Sequence, residues 1–138
     1  MHSRTRAALT GLAACCAVVS AVVHLVIAPE HLEEMPYIGI LFIVGSVALL
    51  LAAAGLALAN SVLAWWVGAL VSGGMILGFA LSRTVGLPSY HEQGWDPPYG
   101  LLSFLAEVGF LLAFFAWYGT RPARTPAAPV RTKVPAGR

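Results

Sequence analysis

The sequence predicts an all-α fold, a polytopic transmembrane four-helix antiparallel bundle, and three observations carry that reading. Of its 138 residues 59% are hydrophobic and 10% charged, with a mean hydropathy of +0.80, too few polar groups to coat a single soluble domain. The apolar residues fall into four stretches of about 20, the length a helix needs to cross a hydrocarbon core about 30 Å thick. The charges are sorted: every acidic residue lies between Glu30 and Glu107, and every basic residue except Arg83 lies outside that window. Lys and Arg accumulate on the cytoplasmic side of spans, so an even number of crossings places both termini in the cytoplasm and the acidic loops outside. The localisation this implies is a bacterial cytoplasmic (inner) membrane.

Residues 1-6 form a basic lead with Arg4 and Arg6, and residues 7-118 form the transmembrane domain. The first span, about 7-28, is expected to stop before Pro29, which biases the preceding residue away from helix. Leu12-Ala13-Ala14-Cys15 also spells a bacterial lipobox, yet the apolar run continues through Ile27, as a span requires. Cys15 and Cys16 are adjacent and cannot bridge without strain, so they read as buried small residues. Residues 29-35 then read as a short interfacial helix with Glu30, Glu33 and Glu34 on one face.

The second span, about 37-59, ends at Asn60-Ser61, a join short enough to force a hairpin with the third, about 62-82. Trp65 and Trp66 at the start of the third span read as interfacial anchors. Small residues at four-residue spacing, Ala64, Gly68 and Ser72 on one span and Ala48 and Ala52 on the other, make the second and third spans the expected tight pair. The connection from Thr84 to Pro98 is rich in Pro and Gly and long enough to cover the outer mouth. Asp96 reads as a helix cap ahead of Pro97 and of the fourth span, about 99-118. The tail, 119-138, holds four prolines and five basic residues without an acid and is expected to be disordered.

Within the spans only His24 and Glu107 are ionisable, with Arg83 at the rim of the third, and such residues usually face a bundle interior or a wet cavity. A structural ion pair of Arg83 with Glu107, with His24 beside it, is the first expectation, since a planar guanidinium suits a buried carboxylate. The second is a metal or small-ligand site, possibly redox-linked, built from His24 and Glu107 with His31 and His91. Imidazole and carboxylate together suit zinc or copper, and His31 would share a face with His24 if the helix continued through Pro29. No compact ligand motif accompanies them. Haem is disfavoured, because only one span carries a histidine.

Nothing marks an enzyme: there is no nucleophile elbow and no nucleotide-binding glycine loop, and no basic surface suits nucleic acid. Transport is disfavoured by the apolar cytoplasmic half of the spans. The expected role is therefore an accessory or scaffold protein in the lipid bilayer, meeting a membrane-protein partner or further copies of itself. The ligand-binding role stands as the alternative.

The run Ser82-Arg83-Thr84-Val85-Gly86-Leu87-Pro88, with His24-Leu25, Pro29-Glu30-His31-Leu32 and Glu107, resembles a group of small four-span membrane proteins from actinobacteria. The resemblance covers the spans and their acidic-side loops and leaves out the tail. It implies the four-helix fold and again the polar cluster, and it supplies no reaction.

Overall fold

The computed structural model describes residues 2–121, so the proline-rich part of the tail lies outside the described residues. Among the described residues four helices make up the fold: α1 (His2–Glu34), α2 (Pro36–Ala59), α3 (Val62–Arg83) and α4 (Tyr99–Gly119). Each is long and apolar enough to cross a bilayer. They pack up-down-up-down with sequential neighbours in contact, and α4 closes the ring against α1. Valines and leucines such as Val22, Leu51, Leu63, Leu70 and Leu112 point outward all round, the surface of a protein dissolved in lipid.

The separate interfacial helix expected at 29-35 does not exist, because α1 runs unbroken through Pro29. Proline removes only its own N–H, so the ladder loses the single bond to the Leu25 carbonyl and resumes, a loss that spanning helices tolerate. At 33 residues α1 is about 50 Å long and overshoots the hydrocarbon core, carrying exposed Glu30, Glu33 and Glu34 beyond it. The break comes at Met35, whose backbone (φ −144°, ψ 87°) leaves the helical region just before Pro36 in the first turn of α2. Asn60 ends α2 in the left-handed region (φ 43°), and Ser61 caps α3 by accepting from the Ala64 amide. Asp96 does not cap α4 with its side chain; Pro98 takes that position, and the Asp96 carbonyl accepts from Gly100 instead.

The most extensive interface is α1 with α2, followed by α1 with α4, rather than the expected α2 with α3. The reason lies on α1, where Ala13, Ala17 and Ala21 recur every four residues and are fully buried, letting both neighbours approach closely. Cys15 on the same helix is exposed, against expectation, whereas Cys16 is half-buried, packed against the core and against Gly109 of α4.

The half of the bundle near Arg6 and Arg121, hereafter the basic end, is solid. Trp65, expected at the interface, is 0% exposed. Its ring stacks on Trp117 at 4.7 Å and tilts against Phe110 and Phe114. Trp66 alone faces outward, edge-on to Phe114 and Tyr118. Successive helical residues point about 100° apart, so only one of the two indoles can meet the core. Arg6 of α1 donates to the Thr120 carbonyl at 2.6 Å, tying the ends of α1 and α4 together.

Candidate functional site

The opposite half of the bundle, the acidic end, is hollow. A cavity of about 310 Å³ lies among all four helices and beneath residues 84–98. Its walls are apolar, with Ile27, Phe42, Val71, Met75 and Phe79 among them, and glycines 45, 74, 78 and 100 thin them further. Its polar groups sit in two tiers.

The lower tier holds His24 and Glu107, which are 5% and 2% exposed. Glu107 lies about 12 Å along α4 from Tyr99. His24 Nδ1 is 2.9 Å from the Ser20 carbonyl, which can only accept, so that nitrogen carries the proton. Ser20 Oγ in turn donates to Glu107 Oε1 at 3.0 Å, and His24 Nε2 lies 3.8 Å from the same oxygen. Among the described residues the hydrogen bond to the Glu107 carboxyl falls on Oε1, leaving Oε2 turned to other partners. With one proton between them the two side chains are neutral overall, whether the proton rests on oxygen or on nitrogen, and apolar surroundings favour such a pair over separated charges. Nε2 and Oε2 together offer one donor and one acceptor.

The upper tier is the mouth. His31 follows His24 by seven residues on the same face of α1, and Phe42 of α2 lies between them, edge-on to both rings at 4.7 and 4.9 Å. His31 Nδ1 donates to the Ile27 carbonyl, and its Nε2 is 3.1 Å from the Tyr90 hydroxyl. Burial, and then the charge of Glu92 close by, push that hydroxyl above the usual phenol range, so it stays protonated and donates to the imidazole. Tyr37 of α2 donates to the Pro88 carbonyl at 2.8 Å, a second tie from a helix to the covering segment.

Arg83 does not pair with Glu107. Its Nη2 meets Glu92 Oε2 at 3.0 Å, its Nε donates to the Gly94 carbonyl at 2.7 Å, and its Nη1 donates to Ser82 Oγ at 3.0 Å. The guanidinium also lies 3.6 Å over the Phe79 ring. The loop folds back through Gly86 and Gly94, both at positive φ where a side chain is disfavoured, and this brings Glu92 to the arginine at the rim. Reaching Glu107 would instead take the fork into the apolar cavity and leave those loop acceptors unmet. Arg83 is therefore the staple of the cover.

The metal set expected from His24, Glu107, His31 and His91 does not assemble. His91 is exposed, His31 is engaged with Tyr90, and among the described residues no group of three His, Cys, Asp or Glu side chains has a geometry that could hold a metal ion. The donors that converge are two, His24 and Glu107, bridged by a serine. Ser20, Phe42 and Tyr90 belong to the site although the sequence did not single them out for it. Ser20 had a signal: it precedes His24 by one helical turn and so shares its face.

Comparison with protein-family models, with curated proteins and with solved structures finds no match. The actinobacterial resemblance stays an expectation.

Proposed function

We propose that this is a multi-pass protein of a bacterial cytoplasmic membrane that binds a small, uncharged molecule, seating a hydroxyl, carbonyl or amide head against His24 and Glu107. The observation that carries the proposal is the cavity itself, an apolar space of about 310 Å³ whose lower tier presents one donor and one acceptor. Binding sites for small molecules take this form, apolar walls with a few convergent polar groups. The charge of Arg83 is already met by Glu92, so among the described residues the mouth holds no spare cation to select an anion. The basic end is filled by Trp65, Trp117, Phe110 and Phe114, which favours binding at one side over passage through the bundle. Orientation follows from the charge pattern: the basic end faces the cytoplasm, and the cavity lies on the outer side.

The test is native mass spectrometry and organic extraction of protein purified in mild detergent. Wild-type protein is expected to carry one small apolar adduct per chain. Gly78→Leu, which fills open space in the cavity wall, is expected to lose it while keeping its helical content. A wild-type protein that carries nothing would overturn the proposal and leave an accessory bundle pinned by an internal polar staple.

A further inference from the structure

The cavity has a side as well as a mouth. Between α3 and α4 the wall is sealed at the acidic end by Phe79, Phe104 and Trp95, whose ring centroids lie 5.3 to 6.2 Å apart. Between α2 and α3 no such ring pair is found among the described residues. Leu41 of α2 and Gly74 of α3 both line the cavity and both are exposed, Leu41 by 60%. A side-chain carbon placed at Gly74 or Gly78 would meet nothing within 4 Å. The gap is bounded below, where the Met75 methyl group lies against Gly45, and above, where Tyr37 holds Pro88. From Tyr37 to Gly45 is eight residues, about 12 Å of helix, all within the apolar length of α2.

We infer that this gap is a lateral window, through which a single-tailed, uncharged amphiphile dissolved in the outer leaflet passes its head to His24 and Glu107 while its tail stays among the lipid chains. The inference rests on the ligand-binding reading above and adds the class of ligand and its route. Size argues for it: about 310 Å³ is at the lower end for drug-sized ligands, so it accommodates a head and leaves a long chain outside. The covering segment argues likewise, since Arg83, Tyr90 and Pro88 tie it to three helices across the mouth.

Carbodiimides modify carboxyl groups and come in bilayer-soluble and water-soluble forms, so Glu107 is its own reporter. Lipid-stripped protein in phosphatidylcholine vesicles is treated with dicyclohexylcarbodiimide or with a cationic water-soluble carbodiimide, and modification of Glu107 is followed by peptide mass mapping. The apolar reagent is expected to label Glu107 faster than the soluble one by about tenfold or more, and Gly74→Trp or Leu41→Trp to slow it by about as much. Val85→Ala, on the exposed face of the cover and outside the cavity lining, is expected to leave the apolar rate unchanged. Equal labelling by both reagents, or rates indifferent to both tryptophans in folded protein, would overturn the window; the bound adduct sought above would then still decide the ligand reading separately. Labelling through the window in a protein that never carries an adduct would sink the ligand and leave the window standing.

Discussion

His24 Nε2 lies 3.8 Å from Glu107 Oε1, and Ser20 Oγ bridges from α1 to the same carboxyl oxygen at 3.0 Å. Among the described residues this is the one polar join between α1 and α4 inside the bilayer length, and it gives the first expected outcome. Replacing Glu107 by Leu leaves Ser20 and His24 without their partner. Replacing both His24 and Glu107 by Leu removes the problem along with the pair. Polar contacts between spanning helices contribute about 0.6 to 2 kcal/mol, so a double-mutant cycle read by unfolding in detergent should return a coupling in that range. A coupling of zero would mean that the two groups stand close without interacting.

Arg83 and Glu92 hold the cover. The pair is partly exposed, which limits its share of global stability to about 1 kcal/mol or less, but it organises residues 84–98 through the bonds to Gly94 and Ser82. Arg83→Lys loses the fork and keeps the charge. The expected result is a nearly unchanged unfolding midpoint together with faster hydrogen exchange at Glu92 and Gly94. Unchanged exchange would show that Tyr37 and Tyr90 hold the segment without help.

The fold class was legible because hydropathy belongs to each residue separately and needs no contacts to be read. His24 and Glu107 were legible for the same reason, as the ionisable residues within spans. The partner of Arg83 was not, since it depends on a loop path set by positive φ at Gly86 and Gly94, and no spacing in the chain encodes where that path returns. Pro29 misled because its effect on the preceding residue is a bias, and one missing hydrogen bond is too little to end a helix that packs along its whole length. Trp65 and Trp66 are chemically identical neighbours, and only the direction of the α3 face decides which one is core.

Tyr90 gives a pH dependence. Its hydroxyl is held above the usual phenol range by burial and by Glu92, so the folded protein keeps the proton where an unfolded chain would release it. A group of this kind contributes stability that is fully present below the ordinary phenol value of about 10 and is lost as pH rises above it. The expected observation is a phenolate absorbance titration in which the difference between wild type and Tyr90→Phe appears only at the alkaline extreme. The wild-type unfolding midpoint should also fall more steeply above pH 10 than that of the variant. A Tyr90 that titrates at the ordinary phenol value would mean that the cover does not close on His31.

The solid half of the bundle gives the sharpest packing outcome. Gly68 of α3 lies directly against the Phe110 ring of α4, and a side-chain carbon added there would overlap the ring. Phe110 is itself fully buried between Trp65 and its neighbours and has nowhere to retreat. Gly68→Ala is therefore expected to destabilise the protein by about 1–3 kcal/mol, the usual cost of forcing one carbon into a filled core. Gly73, on the same helix, has nothing within 4 Å of that position. Gly73→Ala should be neutral, or stabilising by up to about 1 kcal/mol through helix propensity alone. The contrast between two identical substitutions five residues apart isolates packing from propensity, and unfolding in detergent measures it. Equal effects at the two sites would mean that α3 and α4 do not meet as closely at Phe110 as their side chains indicate.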